Sequence, residues 1–125
     1  MTAAMIPGDV RRFLLATIPT VPHLEALLLL RGRPEPWPLA QLSSRLYVDA
    51  GNATLLLDDL IASGLAVAGN GGYRYAPADA AVADTIDALA ALYARQMVVV
   101  AELIHSSSDR KAHRFADAFR LRKDS

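Results

Sequence analysis

Residues 78–105 carry an apolar stripe that a single small domain has difficulty hiding if the segment is one helix. Val82, Ile86, Leu89, Tyr93, Met97, Val100 and Ile104 step by three or four positions, the spacing that lines one face of an α-helix. Val98, Val99 and Leu103 widen the stripe in its later half, while Asp79, Asp84, Asp87, Arg95 and Glu102 exclude a membrane span. At 1.5 Å per residue such a helix is roughly 40 Å long, longer than the body of a domain this size. A protruding helix that stays apolar needs another chain to cover it. The expectation is therefore a homodimer, with those seven residues as its interface.

Upstream, the chain punctuates itself into shorter elements. Pro7-Gly8 marks a turn and Asp9 is a candidate N-cap for a helix carrying Val10, Phe13, Leu14 and Ile18. Pro19 and Pro22 close that helix near Ile18, and a twofold partner is one candidate for what it packs against. A second helix covers 21–31, with Pro22 in its first turn and leucines nearly all round, so several neighbours must bury it. Pro34, Pro36 and Pro38 break the chain around Trp37, which reads as a plug on the core. Short helices follow over 38–45 and 52–63, the second ended by Gly64 as its C′ residue. The period then changes to that of strands. Leu65-Ala66-Val67 and Tyr73-Arg74-Tyr75 flank Gly69-Asn70-Gly71-Gly72, a hairpin signal. Beyond 105, Ser106-Ser107-Ser108 suggests a break, with Asp109 capping a last amphipathic helix that lines up Ala112, Phe115, Ala116 and Phe119.

The stretch from Pro38-Leu39-Ala40-Gln41-Leu42 through Leu55, Leu56 and Leu60 to Gly64-Leu65 and Tyr73-Arg74-Tyr75-Ala76-Pro77 resembles bacterial winged helix-turn-helix transcriptional regulators, in layout the MarR-like and related groups. In that resemblance Ala40 permits a close helix crossing, Gly51 allows the turn, and Gly64-Leu65 converts helix into wing strand. It implies a mainly α fold: an N-terminal helix over 1–20, a winged helix-turn-helix over 21–77 with a small β-hairpin wing, a long dimerisation helix over 78–105 and a basic amphipathic tail over 106–125. It also implies a homodimer that contacts double-stranded DNA through the third helix, wing and tail, while the lack of a targeting segment leads to the expectation of a cytoplasmic protein. The candidate DNA-binding residues are Arg45, Asn52, Thr54 and Arg74.

Charge points elsewhere. Lys plus Arg and Asp plus Glu are both 13, whereas a dedicated nucleic-acid binder usually has a cationic surplus. Between Arg45 and Arg74 there is no Lys or Arg, but Asp49, Asp58 and Asp59 are present. Guanine reading and phosphate contact both draw on Arg and Lys. Residues 110–125 hold Arg110, Lys111, Arg114, Arg120, Arg122 and Lys123 against only Asp117 and Asp124. Arg31, Arg33 and Arg45 are further backbone contacts if they share a face. The alternative reading is thus a protein-interaction module on the same scaffold that has lost DNA binding. A third is a ligand-sensing regulator with an apolar pocket near Trp37, Tyr93 and Met97.

Catalytic chemistry is not expected. The chain has no Cys, which excludes disulfides, thiolate zinc sites and a cysteine nucleophile. His23, His105 and His113 are far apart with no metal-ligand spacing, and His105 and His113, which flank a break, read as ordinary, partly exposed side chains rather than as metal ligands. The glycine-rich turn leads into a strand, not a helix, so it is no phosphate cradle. No cofactor and no membrane partner are expected, and 1–7 lacks the features of a signal peptide.

Overall fold

Most of the proline and glycine marks in the sequence turn into element boundaries in the computed structural model, which describes residues 6–124, with side chains described through Lys111. The element order is α1 (Gly8–Thr17), α2 (Val21–Arg31), α3 (Leu39–Leu46), α4 (Ala50–Ala62), β1 (Ala66–Gly69), β2 (Gly72–Tyr75), α5 (Ala80–Arg95) and α6 (Met97–Asp124). The protein is mainly helical, with one small two-stranded antiparallel sheet among the described residues. No single described helix is long and apolar enough to cross a membrane.

Side-chain caps start three of the helices. Thr20 accepts from the His23 amide at α2, Asp49 from the Asn52 amide at α4, and Asp79 from the Val82 amide at α5; each satisfies one of the amides a helix start leaves unpaired. At α1 the cap is Pro7, and Asp9 lies inside the first turn rather than before it. Helix α2 is the centre of the core. Leu24, Ala26, Leu27 and Leu30 are fully buried because α3, α4, β2 and α6 all pack on it, as its all-round apolar pattern requires. Val10 and Leu14 of α1, with Ile18 just past its end, join the same core, and α1 packs against α5 and α6 of its own chain.

In the sheet, Ala66 pairs with Tyr75 and Gly69 with Gly72, which leaves Asn70-Gly71 as a two-residue turn. A third segment completes it. The Trp37 amide donates to the Tyr73 carbonyl at 2.8 Å, and the Tyr73 amide donates back to the Trp37 carbonyl at 2.9 Å. The proline-flanked elbow is thereby fastened to the hairpin, and Trp37 is buried.

Three expectations need correction. First, 78–105 is not one helix. The chain breaks at Gln96 (φ −135°, ψ 55°), and α6 turns back at 114° to α5. Three consecutive valines, Val98 to Val100, follow the break and lie within α6. Folding back also lets both apolar halves reach the chain's own core. Ile86, Leu89, Tyr93, Val100 and Ile104 are buried there, and Val82 packs against it half-buried. Of the seven interface candidates Met97 alone is exposed, at 55%; the need for a second chain to cover this stripe disappears. Second, Ser106 to Ser108 do not break the helix, and Asp109 caps nothing, because α6 runs on through them. Third, Ala40 is exposed and sits at no helix crossing. Gly51 lies in the first turn of α4, and the left-handed residue of the α3–α4 turn is Tyr47 (φ 58°). Gly64, by contrast, has the positive φ expected of it, at 75°.

Candidate functional site

Helix α4 turns Ala53, Leu57 and Leu60 inward, so its other face carries Asn52, Leu55, Asp58, Asp59, Ala62 and Ser63 at the surface. Leu55 is 62% exposed. Beside it lies a groove of about 530 Å³ lined chiefly by apolar groups: Val21 and Pro22 from the start of α2, Val48 from the turn, Leu55 and Leu56 from α4, with His105 of α6 on the far side. A second hollow of about 330 Å³ follows it along α4, between Leu15 to Pro19, Ala62, Ser63 and Lys111. Asp59 lines both. The Lys111 ammonium donates to the Leu15 carbonyl at 3.3 Å, holding α6 beside the end of α1.

The Asp59 carboxylate is tied to the interior. Its Oδ2 lies 2.7 Å from His23 Nε2, and His23 Nδ1 lies 2.6 Å from the Thr20 hydroxyl oxygen. His23 is buried whereas the Asp59 side chain is 63% exposed. In the sequence His23 stands out only as a histidine far from the other two. In the fold it is the polar link between α2 and the outer face of α4. Its position three residues after a Thr N-cap was the available signal, since that spacing brings the ring back over the cap. The threonine oxygen also accepts the His23 amide as the α2 cap, so the Thr–His–Asp line joins the start of α2 to α4.

The four candidate DNA residues do not converge. Thr54 donates its hydroxyl to the Ala50 carbonyl one turn earlier at 2.9 Å. Asn52 spends its backbone amide, and at 3.4 Å its side-chain amide, on Asp49, and lines the apolar groove. Arg74 is exposed on β2, paired in register with Val67. Arg45 belongs to another cluster, on α3: its guanidinium lies 5.6 Å from the Trp37 ring centroid, and that of Arg33 lies 3.9 Å from it, a cation–π arrangement. Arg33 is further fixed by donating to the Pro36 carbonyl and to Gln41 Oε1. Arg31 does not share that surface, since it is paired with Asp87 of α5 at 3.0 Å.

The cavity imagined near Trp37, Tyr93 and Met97 is not one space. Trp37 lines a hollow of about 200 Å³ with Arg33, Gln41, Ser44 and Arg45, whereas Tyr93 lines a different one with Glu25, Leu28, Leu29 and Tyr47. Burial raises the Tyr93 phenol above its ordinary range, with Glu25 adding to it. Tyr75 is raised in the same direction, chiefly by burial and further by Asp87, against an opposing effect of Arg31; its hydroxyl is buried without a hydrogen-bond partner among the described residues. Among the described residues no three His, Asp or Glu side chains are grouped to hold a metal ion. The expected packing of Phe115 and Phe119, the environment of His113 and the character of residues 1–5 lie outside the described side chains. Comparison of this chain with known protein families, with curated proteins and with solved structures finds no match.

Proposed function

We propose that this chain is a protein-docking module on a bacterial winged-helix scaffold, working in the cytoplasm through the outer face of α4. The scaffold reading is supported by the order of three helices, a hairpin and closing helices, and by the bridge from Trp37 to Tyr73 that adds a third strand-like segment to the hairpin. The observation that carries the functional reading is the chemistry of α4. The helix that reads bases in DNA-binding members exposes a leucine, two aspartates and an apolar groove, with no cation of its own. A phosphate backbone meets that surface at an electrostatic disadvantage. An amphipathic polypeptide with apolar and cationic residues fits it on both counts.

The test is a photoreactive benzophenone side chain at position 55, with the same group at position 67 on β1 as control. Polypeptide adducts at 55 that Asp58→Arg reduces, with none at 67, are the expected result. Adducts to duplex DNA at 55, or no polypeptide adduct there, reject the reading.

A second reading rests on the arginines. Arg33 of the elbow and Arg45 of α3 share the Trp37 surface and Arg74 is exposed on the hairpin, so a duplex could be held by its phosphates without base reading by α4. Anisotropy titrations at two salt concentrations decide it. Binding that falls with salt and is lost in Arg45→Ala and Arg74→Ala favours this second reading over the first.

A further inference from the structure

The outer face of α4 asks for a helix about as long as itself, apolar along one side and basic on the rest, and the chain carries such a segment. Helix α4 has 13 residues, roughly 20 Å of length. The later half of α6, residues 110–123, has a similar length. Its sequence repeats Ala112, Phe115, Ala116 and Phe119 at helical spacing, among six cations and two acids over 110–125. The groove offers Leu55, Leu56, Val48 and Pro22 as apolar partners, with Asp58 and Asp59 as counter-charges. Charge and apolar pattern are complementary.

We infer that this segment docks on α4 of a second copy, and that two chains exchange these segments reciprocally. The inference rests on the proposed docking role of α4 and names its occupant. Docking onto the same chain's α4 is opposed by the backbone. Helix α6 is continuous from Met97 to Asp124, and its residues His105 and Lys111 already line the groove and the adjoining hollow. A continuous helix cannot reverse to lay its following residues across the surface it has just passed. From Ser108 to Lys111 every residue is exposed, and the contact of Lys111 with the Leu15 carbonyl precedes the complementary apolar positions, which begin at Ala112. A second copy is the nearest source of a docked segment with this chemistry, and reciprocal exchange makes the closed twofold assembly that homodimers favour. This arrangement differs from the dimer expected from the sequence, whose stripe is used up inside each chain.

The experiment is sedimentation equilibrium of the purified full chain across the micromolar range, at low and high salt, with two variants. Leu55→Arg alters the groove at an exposed position, and the double variant Phe115→Asp, Phe119→Asp alters the docked segment; circular dichroism confirms that both remain folded. The expected result is a monomer–dimer equilibrium for the unaltered chain, weakened by salt. Each variant alone shifts at least tenfold toward monomer. An equimolar mixture of the two recovers association, because one intact groove then meets one intact segment. A chain that stays monomeric at every concentration, a dimer indifferent to Leu55→Arg, or a mixture that remains monomeric overturns the inference. Such a failure is distinguishable from failure of the docking role itself, which the adducts formed at position 55 with other polypeptides decide separately.

Discussion

Replacing Gly72 with alanine should cost this small protein a large part of its stability, for a reason visible in two backbone contacts. A Cβ built on Gly72 falls 2.0 Å from the Trp37 carbonyl oxygen and 2.9 Å from the Pro38 nitrogen. The obstacle is backbone, so no side-chain rotation relieves it. The same residue has φ 129°, a conformation that strains an L-residue by about 1–2 kcal/mol. To make room the elbow must move off the hairpin, which endangers the two Trp37–Tyr73 hydrogen bonds of 2.8 and 2.9 Å, each worth about 1 kcal/mol net and more if its partners stay buried. The sum is about 3–5 kcal/mol, against a total of about 5–15 kcal/mol for a domain of ordinary stability. Gly69→Ala is the internal control: it lies in the same hairpin, has no positive φ, and nothing stands within 4 Å of its added methyl. Urea unfolding monitored by Trp37 fluorescence and by circular dichroism measures both variants. If Gly72→Ala lies within about 1 kcal/mol of Gly69→Ala, the bridge does not hold the hairpin and the reasoning fails.

Other substitutions probe separate parts of the fold. Tyr47 has φ 58° while 94% exposed, so Tyr47→Gly should raise stability by about 0.5–1 kcal/mol; a loss in urea melts would mean the phenol ring makes contacts that matter. His23→Ala removes a buried ring and its bonds to Thr20 and Asp59 and should cost about 2–3 kcal/mol, whereas Asp59→Asn, which keeps an acceptor for the ring, should cost under about 1 kcal/mol; equal effects would place the energy elsewhere. The Tyr75 phenol is raised above its ordinary value of 10.0 in the folded chain. The folded state then holds its proton longer than the unfolded one, so stability is full below pH 10.0 and declines as pH rises from there through the folded value. Tyr75→Phe should flatten that alkaline decline in thermal melts, and at neutral pH it should be neutral or slightly stabilising, because it deletes a hydroxyl that is buried without a partner. An unchanged alkaline slope would assign the decline to other groups.

The sequence conveyed local structure well where a residue has one physical use. Pro22 in the first turn of α2, Gly64 past the end of α4 and the Asn70-Gly71 turn are such cases, because missing donors and positive φ leave few alternatives. It misled where two outcomes share one pattern. The stripe from Val82 to Ile104 fits a straight helix, and Gln96 has no helix-breaking chemistry; the turn there follows from the gain of burying Val100 and Ile104 on the chain's own α1 and α2, which periodicity cannot express. Trp37 looked like a plug, but its strand-like bonding to Tyr73 depends on a partner 36 residues away and on a φ that only Gly72 supplies. Of the α4 surface, the acids and the absent cations were legible. The groove was not, since Val21 and His105 approach Leu55 only through tertiary folding.

The bond between His23 and Asp59 has a consequence for recognition. A surface carboxylate normally samples several rotamers and must surrender them when a cation arrives, a penalty of about 0.5–1.5 kcal/mol for each immobilised side chain. Asp59 has surrendered them already, because a buried imidazole grips one of its oxygens. Asp58, one residue away, has no such tether among the described residues. Of these two neighbouring acids, the pre-set one should discriminate between visitors by geometry, and the mobile one should respond mainly to their charge.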